Sequence, residues 1–165
     1  MSNYDLLIKN GKIATASDFY EADIAVDKGK IIQIGNINCK ASKTIDAEGN
    51  IITPGGVDGH CHLDQPTEDN SVFADDFNTG SISAAFGGTT TMIPFALQKK
   101  GESIKVAVEE YHDKAKDKSI VDYAFHLIIT DPSEIILKKE LPDIKKIFLD
   151  KTLIKVMTLL NGIRK

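Results

Sequence analysis

After Pro54 the chain alternates short apolar runs of β type with longer segments of helical period, and this alternation restricts the fold more than any other feature. The β-type runs cover residues 57–62, 89–95, 123–129 and 153–159. Each is rich in β-branched or aromatic residues and apolar on both faces, the pattern of parallel strands covered on both sides. Between them the spacing predicts helices over roughly 75–86, 103–116 and 133–148. In the second, Ile104, Ala107, Val108, Tyr111 and Ala115 recur at helical spacing while lysines and glutamates fill the other side. Pro142 is expected to break or kink the third. Repeated strand–helix units imply a parallel sheet with right-handed crossovers, either open or a segment of a closed (β/α)8 barrel. Periodicity does not choose between the two, but no glycine-rich dinucleotide fingerprint follows any strand.

The residues before Pro54 have a different texture. Strands are predicted over 5–14, 22–26, 30–34 and 43–52, with Asn10-Gly11, the stretch 27–29 and Glu48-Gly49 as punctuation, which reads as hairpins in a small antiparallel sheet. Thr53-Pro54-Gly55-Gly56 marks the boundary between residues 1–53 and 54–165.

Composition narrows the partners. The formal net charge of -4 supplies no basic face for nucleic acid or an anionic membrane. The first residues show neither a basic stretch followed by an apolar one nor a membrane-length run, so a cytoplasmic protein is expected. Two cysteines, Cys39 and Cys61, are too few for a disulfide framework.

The chemistry concentrates in Gly56-Val57-Asp58-Gly59-His60-Cys61-His62-Leu63-Asp64. Alternation along a strand puts both imidazoles on one face, where they can share a divalent ion, and Cys61 on the other, as a small filler. The pair ends its strand at the side where parallel α/β enzymes build their sites. Asp58 and Asp64 flank the pair; either could orient an imidazole through its second nitrogen or serve a turn. Lys155 lies inside Leu153-Ile154-Lys155-Val156-Met157, where an ammonium is costly unless its head group has a partner. His112 reads as a surface residue of the second helix, and His126 as a hydrogen-bonded residue of the core or sheet mouth.

Beyond these residues, the chain resembles the amidohydrolase superfamily and, within it, the cyclic amidohydrolases known as dihydropyrimidinases or hydantoinases. The resemblance rests on Pro54-Gly-Gly-Val-Asp-Gly-His-Cys-His-Leu-Asp, on Asp75-Asp76-Phe77 leading to Ala84-Ala85-Phe86-Gly87-Gly88-Thr89-Thr90-Thr91, on Asp122-Tyr123-Ala124-Phe125-His126, and on Ile154-Lys155-Val156. It implies an α/β fold: the first half of a (β/α)8 TIM barrel, preceded by strands of a small β-sandwich domain. It implies that His60 and His62 ligate the more buried ion of a two-zinc centre. Lys155, carboxylated by carbon dioxide to N6-carboxylysine, would bridge both ions; its carbamate is an anionic two-oxygen ligand able to span metals about 3.5–4 Å apart.

The implied reaction is hydrolytic opening of a cyclic diamide such as a dihydropyrimidine or hydantoin by a metal-bound hydroxide. The resemblance further implies a small-molecule substrate and a homo-oligomer, commonly a tetramer. The general-base aspartate and two further histidines are expected beyond Lys165, so this chain is expected to be truncated and inactive alone. Leu160 stands where the family carries a substrate-binding tyrosine. Two alternatives stay open at this stage: another cyclic amidohydrolase, allantoinase or dihydroorotase, and a noncatalytic assembly fragment.

Overall fold

A computed structural model describes residues 4–67, 71–148 and 155–156. The chain forms two compact units, Met1–Pro54 and Gly55–Lys165.

The first unit is one five-stranded sheet of β1 (Tyr4–Ala14), β2 (Phe19–Asp27), β3 (Lys30–Gly35), β4 (Ala41–Asp46) and β5 (Ile51–Ile52). The order is β3-β2-β1-β4, with β5 also on β1. The pairs β1–β2 and β2–β3 are antiparallel hairpins, but β4 and β5 run parallel to β1. The sheet is therefore mixed, which corrects the purely antiparallel expectation. After β3 the chain crosses to the far side of β1 instead of turning back, and Ile37 is buried with Leu7 and Ala25 on the way.

Asn10-Gly11 is likewise not a turn. Asn10 adopts a left-handed φ of 57° and the β1–β2 register shifts between Ile8 and Gly11, which marks a bulge inside one continuous strand. The amide freed there donates to Asp23 Oδ1 at 3.0 Å, and Ile37 N donates to Asp23 Oδ2 at 3.2 Å. A buried carboxylate thus satisfies two backbone donors.

The second unit is a parallel sheet. Its strands are β6 (Gly56–Cys61), β7 (Thr89–Leu97), β8 (Asp122–Tyr123), β9 (His126–Ile128) and β10 (Lys155–Val156). The order is β10-β9-β7-β6, with β8 also on β7. The run at 123–129 is split into β8 and β9 around Ala124-Phe125, both buried, although Ala124 N still donates to Met92 O at 3.0 Å. Among the described residues β6 pairs only with β7, and it is largely exposed rather than covered on both faces.

Helix α1 (Phe77–Phe86) starts at a capping box: Asp76 accepts from the amides of Asn78 and Thr79 while Thr79 Oγ1 accepts from Asp76 N. Its Gly80 packs so close to the strand-end loop that an added Cβ would sit 2.5 Å from Leu63 Cδ2. Helix α2 (Ile104–Ala115) is capped by Ser103 and turns Ile104, Val108 and Tyr111 into the core.

The third helical segment divides as Pro142 requires. A π-helical turn, Ile136–Glu140, leads directly into α3 (Leu141–Phe148), so the missing proline donor falls at the junction. Glu140 Oε2 accepts from Ser103 Oγ at 2.8 Å and Ile104 N at 3.0 Å, fastening this turn to the start of α2. The shared core gathers Leu63, Phe77, Met92, Ile104, Phe125 and Leu127 among others. No helix among the described residues is long and apolar enough to cross a membrane.

Candidate metal centre

His60 lies at the end of β6 and His62 just beyond it, both exposed, whereas Cys61 between them is half-buried and packs on the core. Burial, followed by the negative charge of Asp58, pushes the Cys61 thiol up to about 11. That leaves the sulfur a protonated filler at neutral pH, while the two imidazoles share the open face.

Phe95 of β7, only 2% exposed, organises that face. Its ring stands edge-on to His60 at 4.6 Å between centroids and stacks on His62 at 5.0 Å with 14° between planes. The two imidazoles are 5.4 Å apart, centroid to centroid, at 68°. A ring nitrogen binds zinc at about 2.1 Å, and with the ring centre roughly 1.1 Å behind it two imidazoles on one tetrahedral ion are about 5.2 Å apart. The observed centroid separation is within a few tenths of an ångström of that spacing.

Two donors do not complete a site. Among the described residues no group of three or more His, Cys, Asp or Glu side chains is placed to hold a metal. Lys155 occupies β10 in register with His126, which in turn is in register with Phe95, so backbone pairing sets the three on one level across the sheet. The side chain of Lys155, and the whole of Leu160, lie outside the described residues.

The orienting groups differ from the flanking aspartates. Asp58 Oδ1 accepts from the backbone amide of His60 at 3.0 Å and so shapes the chain rather than the ring. Asp64 has a left-handed φ of 50°, and its carbonyl accepts from Lys114 Nζ at 2.8 Å. This turn brings Gln65 back over the site. His62 Nδ1 lies 2.8 Å from Gln65 Oε1, and Gln65 Nε2 donates to Phe95 O at 2.8 Å. Sequence reasoning missed Gln65; a polar side chain three residues past a histidine is the available signal.

Helix α2 supports the loop from behind. Lys114 Nζ sits 4.7 Å above the Tyr111 ring and 3.3 Å from Glu110, which also pairs with Lys99 at 3.0 Å. Partial burial raises the Glu110 carboxyl, but its bonds to Lys99 and Lys114 outweigh that and leave it below its ordinary range. The Tyr111 hydroxyl is buried beside Gln65 and the Leu97 backbone without a well-formed hydrogen bond, and burial raises it far above an ordinary phenol. His112 is on the surface, 3.1 Å from the Tyr123 hydroxyl. His126 is buried, its Nε2 2.9 Å from Gly59 O, and belongs to the frame.

No family model matches the chain. Individual relatives do. A D-hydantoinase of Geobacillus stearothermophilus is 50% identical over 139 residues, covering 84% of this chain and 29% of that protein. A D-hydantoinase of Rhizobium radiobacter is 41% identical over 142 residues, 85% of this chain and 31% of the relative. The dihydropyrimidinase of Rattus norvegicus is 33% identical over 131 residues, 76% and 25% respectively.

Among solved structures, a D-hydantoinase superposes with a TM-score of 0.81 at 46% identity, over 90% of this chain and 31% of that one. The L-hydantoinase of Arthrobacter aurescens superposes with a TM-score of 0.68 at 30% identity, over 87% of this chain and 30% of that one. The chain spans about 30% of the length of these relatives. In sequence and in fold, it belongs to the hydantoinase–dihydropyrimidinase family and corresponds to its N-terminal portion.

Proposed function

We propose that this chain supplies the first metal-binding strands of a hydrolase that opens the amide bond of small cyclic diamides, the dihydropyrimidines and hydantoins. The observation that carries the reading is the His60–His62 pair, held by Phe95 at the separation that one tetrahedral ion needs. Sequence identity of 50% to a protein named D-hydantoinase gives the substrate class.

In this reading His60 and His62 would hold zinc, and Lys155, as N6-carboxylysine formed with carbon dioxide, would be a further ligand of a two-zinc centre. Zinc bound there would supply Lewis-acid polarisation of the scissile carbonyl and an activated water.

The residues of the chain do the positioning. His60 and His62 each offer a neutral ring nitrogen, Phe95 excludes water from behind the rings, and His126 holds the strand end through Gly59. Adjacent parallel strands lie about 4.8 Å apart, so three steps from β6 to β10 would set Lys155 roughly 14 Å from the histidines in a flat sheet. Convergence requires a strongly curled sheet, and this favours the closed (β/α)8 barrel over the open alternative. The same reading carries a cytoplasmic homo-oligomer, and it assigns the general-base aspartate to later strands of the family fold.

The test is zinc titration of the chain beside a His60→Asn, His62→Asn double variant, followed by assay of hydantoin and dihydrouracil opening in the full-length protein. Stoichiometric zinc uptake lost in the double variant, together with ring opening, is expected. Uptake that is equal in both proteins would overturn the assignment.

A further inference from the structure

We infer that Gln65 is the positioning residue that fixes the tautomer of His62, leaving its Nε2 as the nitrogen that binds a cation. The argument is one of donor and acceptor accounting. Gln65 Nε2 lies 2.8 Å from the carbonyl oxygen of Phe95, which can only accept. The amide cannot be flipped, because the flip would set two oxygens against each other. Gln65 Oε1 therefore faces His62 Nδ1 at 2.8 Å, and an amide oxygen has no proton to give. The proton must be on Nδ1, and the neutral ring keeps its lone pair on Nε2.

Three features make this more than a surface contact. Gln65 is partly buried, and its other end is tied to the backbone of Phe95, the residue on whose ring His62 stacks. One residue thus sets both the ring plane and the ring tautomer of His62. The left-handed Asp64, whose carbonyl Lys114 clamps, aims Gln65 back at the histidine. An imidazole that donates its second N–H to a fixed acceptor is the usual arrangement behind a metal-binding histidine, and losing that acceptor typically costs 10–100-fold in metal affinity. The cation half of the inference rests on the metal centre proposed above.

The test reads the tautomer without metal and the affinity with it. Long-range 15N–1H spectra of the metal-free chain at pH 8 should show His62 protonated at Nδ1 and bare at Nε2. Gln65→Met, close in volume but without an acceptor, should move the ring to a mixture or to the Nε2–H form and weaken zinc binding at least tenfold. Backbone amide spectra that superpose outside residues 60–67 exclude unfolding as the cause. An unchanged His62 signature in Gln65→Met, or an Nε2–H ring in the parent chain, overturns the inference. A parent chain with the expected tautomer and no zinc uptake overturns instead the metal reading, so the two failures are separable.

Discussion

His126 Nε2 lies 2.9 Å from the carbonyl oxygen of Gly59, a bond that reaches from β9 to the residue before His60. A carbonyl only accepts, so Nε2 carries the proton and is not available to a metal. Removing the donor leaves the Gly59 carbonyl without it and opens space beside Phe95, which the His126 ring approaches to 4.9 Å. His126→Leu is expected to lower stability by about 1–3 kcal/mol and to weaken zinc binding without changing its stoichiometry. Urea unfolding and zinc titration check both; a stability equal to the parent chain would refute the bracing role.

The Cys61 thiol, pushed up to about 11 by burial and then by Asp58, should be sluggish toward alkylation at neutral pH. Labelling should rise about tenfold per pH unit from pH 7.5 toward 10, as the thiolate population grows. Mass-spectrometric mapping of iodoacetamide adducts at Cys61 reads this. Fast labelling at pH 7.5 would show an exposed or activated thiol and refute the filler role of Cys61.

Asp76 has its carboxyl held below the ordinary 3.8, first by the amide of Thr79; burial opposes this, and the Thr79 hydroxyl and the Asn78 amide add to the lowering. A folded-state pKa below the unfolded value means stability that is present above about pH 4 and lost as pH falls through the folded value. Asp76→Asn keeps an acceptor but not the titration, so its melting temperature should fall short of the parent at pH 7 and approach it as the pH falls below 3.8. A gap that stays constant across this range would show that the charge at the cap contributes nothing.

Gly80 meets Leu63 where α1 crosses the loop that leaves the histidine strand. Gly80→Ala forces Leu63, a core residue only 6% exposed, out of place and should cost about 1–3 kcal/mol despite the better helix propensity of alanine. Pairing it with Leu63→Val should recover part of the loss, and a double-mutant cycle on denaturation midpoints measures the coupling. Strict additivity would contradict the close approach.

Much of the second unit could be read from residues alone, because its signals are local. The apolar runs that became β6, β7 and β9 and the proline at the start of α3 each act within a few positions. The outward histidines and inward Cys61 follow from strand alternation. What escaped depended on distant partners or on turn geometry. The segment after β3 resembled another hairpin until Ile37 was seen buried beside Leu7. The flanking aspartates read equally as groups orienting an imidazole or as turn residues, and the left-handed φ of Asp64 gives it the turn role and hands the orienting position to Gln65. Phe95 sat in a plain β-type run, and its contacts with three histidines arise only when β6 and β9 flank it.

Because His60 and His62 are only two residues apart along one strand and its immediate continuation, their mutual spacing is set by the covalent chain, at most two residues of rise or about 6.6 Å between Cα atoms. It does not change when the sheet breathes. Any donor contributed from β10 instead moves with every intervening hydrogen-bonded rung. In the proposed centre tolerance would therefore be unequal: disturbances that loosen inter-strand pairing should displace the lysine side first, while the two imidazoles keep their mutual spacing.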